Sequence, residues 1–162
     1  MIETRLETFQ AWVLFFSESE LPVLRRTIDE LARLKANEDN ITSRDIANVL
    51  LHDPLMSLKV LRYLQEHRKQ SQTTDITTGS RAVMMLGTTP FFNSFANLTA
   101  IEDHLAAYPE ALTGIMRVLS RSFHAAIHAR EWATIRHDME VEEITEAALL
   151  HDFAELLLWL RA

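Results

Sequence analysis

The sequence predicts an all-α protein. Three observations carry that prediction. Apolar residues recur three or four positions apart along nearly every segment. All four prolines, Pro22, Pro54, Pro90 and Pro109, stand where a first helical turn accepts them. No stretch alternates apolar and polar residues over a strand's length.

Residues 4–17 predict a first helix, with Leu6, Phe9, Trp12, Val13 and Phe16 on one side. Pro22 suits the first turn of a second helix, over residues 21–36, carrying Leu24, Ile28, Leu31 and Leu34. Thr42 with Asp45 three positions later resembles a capping box, with Asp in place of Glu. It opens a short helix bearing Ile46, Val49 and Leu50. Asp53-Pro54 ends that helix and starts another, to about Arg68. The polar stretch Lys69 to Thr78 is the longest loop candidate, expected to be exposed, mobile and available for contacts.

A short helix over 79–86 ends on Gly87 as its cap. Thr89-Pro90 reads as N-cap and first turn of a helix to about residue 106. Pro109 opens a long helix ending near Arg136. The last helix starts near Val141 and runs into the C-terminus. Ile144, Ala147, Ala148, Leu149, Leu150, Phe153 and Leu156 to Leu158 cover almost every face, which predicts burial in the middle of the domain. His151 and Asp152 fall inside that run. There is no internal repeat, and the whole predicts about seven or eight helices.

The 162 residues predict one domain over 1–162, with residues 1–20 as an extension. The apolar last helix stops at Ala162 without a cap or polar tail, so the natural chain is expected to continue. The formal net charge of -7 repels phosphate backbones and argues against nucleic-acid binding. The chain has no cysteine, which excludes disulfides, cysteine-ligated zinc and thiol nucleophiles and suits the cytoplasm. Glu3 and Glu7 replace the basic start of a signal peptide, and the apolar run Ala11 to Phe16 is too short to span a bilayer. Gly79, Gly87 and Gly114, the only glycines, are too dispersed for a phosphate-binding loop or a G-x-S-x-G elbow. No cofactor is expected.

Two groups of residues have the chemistry of a metal site. His151-Asp152 can supply two adjacent ligands to a divalent metal, or can be a polar pair satisfied by its neighbours. His124 and His128 share one helix face at i, i+4, but lack the glutamate of H-E-x-x-H. Arg117 and Arg121 continue that stripe, which then also reads as a solvated polar face. Phe91, Phe92 and Phe95 could line a pocket, but their helical spacing is ordinary for a core.

Four segments in order resemble HDOD domains, relatives of the HD phosphohydrolases found in bacterial signalling proteins. They are Leu21 to Leu24 (LPVL), Ile41 to Val60 (ITSRDIANVLLHDPLMSLKV), Ala82 to Phe92 (AVMMLGTTPFF) and Ala147 to Leu158 (AALLHDFAELLL). The resemblance covers roughly residues 20–160. It implies an HD-like helical fold and a regulatory role in signal transduction, beside a protein partner, an adjacent signalling domain or an unidentified small ligand. It also matches His151-Asp152 to the pair that holds metal in catalytic relatives.

The sequence departs from the catalytic pattern of those relatives. Aligning Ala126, Ala129 and Ala133 on the family's small-residue helix puts Arg121 at the first metal-binding histidine, with His124 one turn too late. Ala154-Glu155 stand where the family often has Gly-Lys, and a further aspartate on a later helix is missing. The resemblance thus implies a degenerate site of Arg121, His151 and Asp152 in a non-catalytic module, with no metal. The rival is a metal-dependent phosphohydrolase using His124, His151 and Asp152; a third reading is a helical scaffold that serves only assembly. The alignment also predicts that the Arg121 guanidinium takes the metal's place beside Asp152 as a buried ion pair. Arg121→Ala would then cost far more stability than truncating an exposed Arg117.

Overall fold

Several helices begin where the sequence supplies a start signal. The computed structural model describes residues 7–17, 20–67 and 76–161. Among these stand ten α-helices and a short 3₁₀ turn at Glu38–Asn40, two more helices than the upper expectation. The first, α1 (Phe9–Ser17), falls within the predicted 4–17, of which residues 4–6 lie outside the described residues.

Four local signals act as predicted. α3 (Ser43–Leu50) opens on its capping box: the Asp45 carboxylate accepts from the Thr42 amide and hydroxyl, both at 2.7 Å. Those two bonds hold the Asp45 carboxyl below its ordinary range. α4 (Pro54–Glu66) starts with Asp53 as N-cap and Pro54 in the first turn. α5 (Gly79–Leu86) ends on Gly87, whose φ of 80° is strained for any other residue. α8 (Pro109–Ile135) opens on Pro109 and runs for 27 residues. It closes in a Schellman turn, with the Asp138 amide on the Ala133 carbonyl (2.9 Å) and the His137 amide on that of Thr134 (3.1 Å). His137, at φ 56°, holds the left-handed position glycine usually fills.

Several expectations are corrected. The second helix, α2, spans Arg25–Lys35, so Pro22 is not in its first turn. Val23 instead pairs in parallel with Ala100: its amide donates to the Thr99 carbonyl (2.9 Å), and its own carbonyl accepts from the Ile101 amide (2.8 Å). That pairing spends the backbone groups a helical turn would have used. The single helix expected from Thr89 to about residue 106 is two, α6 (Thr88–Ser94) and α7 (Ile101–His104). Asn93, Ser94, Asn97 and Thr99 are weak helix formers, and the Val23 pairing holds the break open. Gly87 takes the N-cap position of α6, while the Thr89 hydroxyl bonds Glu38.

The final apolar run is also two helices, α9 (Val141–Leu149) and α10 (Phe153–Trp159). The Phe153 amide turns back onto the Leu150 carbonyl at 3.1 Å. Leu149, Leu156 and Leu157 are buried, but Ile144, Phe153 and Leu158 are exposed. An apolar run reads the same whether it is one helix or two, and a neighbour such as α8 covers only one side of it. Of the predicted loop from Lys69 to Thr78, residues 69–75 lie outside the described residues, as does Arg68.

Two apolar clusters make the core. One gathers Leu21, Leu24, Leu55, Ile101, Ile115 and Leu156. The other gathers Val23, Ile46, Leu50, Met56 and the phenylalanines Phe91, Phe92 and Phe95. These three are buried, and Phe91 packs on Phe95 at 4.9 Å between centroids, so they are core. No helix among the described residues is long and apolar enough to cross a membrane.

Asp53 joins the clusters. It is fully buried, and its carboxylate accepts four hydrogen bonds: from the Leu24 amide and Thr27 hydroxyl (both 2.8 Å), and from the Leu55 (3.0 Å) and Met56 (3.2 Å) amides. Burial pushes its carboxyl up, and these donors oppose that rise. Asp53→Asn turns an acceptor into a donor amid donors. It should cost about 2–4 kcal/mol, from a lost cap and buried amides without partners. The midpoint of urea unfolding measures this; an unchanged midpoint would refute it.

Candidate functional site

The break between α9 and α10 sets the site. His151 and Asp152 lie in the turn, and Asp152 and Glu155 fall three positions apart on one side of the start of α10. α8 packs against α10 and brings Arg121 to them. The Arg121 Nε donates to Asp152 Oδ2 at 2.8 Å, and its Nη2 donates to Glu155 Oε2 at 2.5 Å. The other Asp152 oxygen lies 2.9 Å from His151 Nδ1. Arg121 first, and then His151, hold the Asp152 carboxyl below the usual carboxylate range.

Arg121 thus reaches Asp152, but the pair is not buried as expected. The Arg121 side chain is 54% exposed, Asp152 24% and His151 82%. The reason is the helix break, which puts the pair in a turn on the surface rather than inside a buried helix. Arg117 is exposed, as expected, and makes no ion pair among the described residues.

His124 and His128 take no part. The His124 Nδ1 bonds the Ser120 carbonyl of its own helix at 2.7 Å, and His128 faces Glu131 at 3.5 Å. Among the described residues no three His, Asp or Glu side chains come close enough together to hold a metal ion. Nor does Asp152 fit the metal that catalytic relatives hold there: both its oxygens are engaged, one by a permanent cation. No hydrolytic step can be derived through such a metal.

One further residue completes the site, and sequence reading passed over it. Trp159 reaches back to Glu155, Nε1 to Oε1 at 3.4 Å. Its ring lies on Gly114 of α8, where a Cβ would stand 2.7 Å from three ring carbons. The signal available was spacing: Asp152, Glu155 and Trp159 succeed one another at helical intervals.

An HD-like domain of packed helices, with a His-Asp pair in a turn facing a long helix, is the class that this fold and site define. The family model of the HDOD domain matches residues 21–162, and the chain belongs to that family, a signalling-related one. No curated protein and no solved structure matches the chain.

Two substitutions probe this arrangement. Arg121→Ala should lower stability only slightly, no more than Arg117→Ala plus a margin that added salt removes, because exposed ion pairs contribute little. A large, salt-insensitive loss in urea melts would contradict this. Gly114→Ala should destabilise by about 1–2 kcal/mol, because the clash with Trp159 outweighs alanine's better helix propensity. A gain in melting temperature with unchanged tryptophan fluorescence would show that Trp159 does not rest there.

Proposed function

We propose that this chain is a non-catalytic regulatory module of the HDOD family. It would act in bacterial signal transduction through contacts with a protein partner or an adjacent signalling domain. One observation carries the reading: Arg121 engages both Asp152 and Glu155, where a catalytic relative would need free ligands for a metal. A hydrolytic metal site uses about three protein ligands and an open position, and here a guanidinium fork takes the carboxylates. Arg121, His151 and Asp152 are, on this reading, a degenerate site that shapes a surface.

The remaining features fit this role. The family match begins at Leu21, which supports taking the preceding residues as an extension of one domain over 1–162. The net charge of -7 argues against a nucleic-acid partner, and the lack of cysteine supports a cytoplasmic setting. Neither a cofactor nor a membrane is part of the proposal.

Metal content tests the proposal directly. After equilibration with zinc or manganese and dialysis, elemental analysis should find far less than one ion per chain. One ion per chain, lost in His151→Ala, would support the metal-dependent phosphohydrolase instead.

A further inference from the structure

A cavity of about 590 Å³ opens between α3, the start of α5, the second half of α8 and α9. Small-molecule sites span roughly 300–1,000 Å³. None of Arg121, His151 or Asp152 lines this cavity, so a ligand bound in it is independent of the regulatory role proposed for those residues. Its wall includes Arg44 and Asn48 on α3, Thr78 at the N-cap of α5, Arg130 on α8, and Thr145 and Glu146 on α9.

Two features of that wall point to a ligand. The first is spare positive charge. Arg81 nearby is taken up by Glu140 at 3.0 Å and Glu143 at 2.5 Å. Arg44 and Arg130 have no carboxylate within ion-pair distance among the described residues. The second is Glu146. It is only 3% exposed, its Oε2 accepts from the Gly79 amide at 3.4 Å, and its Oε1 has no hydrogen bond within normal distance among the described residues. The Ser57 hydroxyl, which donates to the Leu50 carbonyl at 3.0 Å, lies beside the carboxylate. A buried carboxyl oxygen left without a donor of its own is costly, and a bound N–H would remove that cost once the Glu146 side chain turns toward the cavity. Burial pushes the Glu146 carboxyl up, and a neighbouring ammonium would pull it back down.

The wall is balanced in formal charge, with Arg44 and Arg130 against Glu142 and Glu146. A simple anion would meet the two carboxylates, and a simple cation the two guanidiniums. A molecule carrying both signs meets each with its opposite. We propose that this cavity binds a small zwitterionic molecule, its phosphate or carboxylate held by Arg44 and Arg130 and its amino group by Glu146. The exposed amide of Asn48 suits a polar body between those ends, while the Thr78 and Thr145 hydroxyls are engaged by the Arg81 amide and the Val141 carbonyl.

The probe is O-phosphoethanolamine, titrated into the ¹⁵N-labelled full chain and followed by amide chemical shifts. Glycine serves as the carboxylate zwitterion, and inorganic phosphate and ethanolamine as the separate halves. We expect saturable millimolar shifts at Thr78, Arg130 and Thr145 with at least one zwitterion, and weaker ones with either half. Which zwitterion binds tighter names the anionic group. The double variant Arg44→Ala, Arg130→Ala alters two exposed side chains and should weaken binding by about tenfold or more. Glu146→Gln should weaken the zwitterion and leave phosphate no weaker, because it removes a like charge. The proposal is overturned if neither zwitterion gives saturable shifts, if the double variant binds as well as the parent, or if the shifts gather at Arg117 and Arg121.

Discussion

The buried carboxylate of Asp53 is the constraint on which the rest of the fold depends. Apolar contact alone does not fix how helices are rotated against one another, because it has no direction. Hydrogen bonds do. Asp53 accepts from Leu24 and Thr27 on one side and from Leu55 and Met56 on the other. Its own amide meanwhile donates to the Leu50 carbonyl at 3.0 Å, closing the turn after α3. Leu24 and Leu55 belong to one apolar cluster, Met56 to the other. One residue thus sets the end of α3 through its amide, and the start of α4 and the entry to α2 through its side chain, at the seam between the two halves of the core. Only an acceptor on both oxygens can do this, since every neighbour within reach is a donor.

From that seam the order passes to α8, which carries α9 and α10 along its length. Small residues make the contact close. Gly114 leaves room for the Trp159 ring, and Ala126 and Ala133 are buried on the same helix. Glycine inside a helix ordinarily weakens it. Here it admits an indole, whose Nε1 then steadies Glu155, the second carboxylate on Arg121. The surface ion pairs therefore depend on packing that lies underneath them.

What the sequence revealed was chemistry that acts locally. Proline at 54 and 109, glycine at 87 and the Thr42–Asp45 box each fix a boundary through bonds to their own neighbours. What it hid was settled by distant partners. Pro22 looks like a helix start, but Val23 finds Ala100 across the chain. The apolar run after Val141 has no signal for its break, because apolar residues serve both helices and the turn between them. His137 closes α8 without the glycine that would have marked the spot. At the site, the resemblance placed Arg121 opposite Asp152, but exposure depends on the helix break and could not be read. Nothing in the sequence marks Glu146 as buried, and only the fold shows it so.

Two departures from the catalytic pattern that the resemblance implies are best read together. On that alignment Arg121 stands at the position of a metal-binding histidine, and Glu155 at that of a frequent lysine. Arg121 beside a lysine would place two cations against the one carboxylate of Asp152. With Glu155 in that position, a single guanidinium meets two carboxylates, at 2.8 and 2.5 Å. A metal ion would bring a double positive charge but needs further ligands, and no three His, Asp or Glu side chains gather to hold one among the described residues. The guanidinium brings one permanent charge and a fixed fork, which needs no proton to leave and no third ligand to arrive. Under the proposed reading, then, the exchange keeps the turn at His151 and Asp152 in shape while removing the open coordination position on which hydrolysis depends. It also leaves His151 facing solvent, where a partner can meet it.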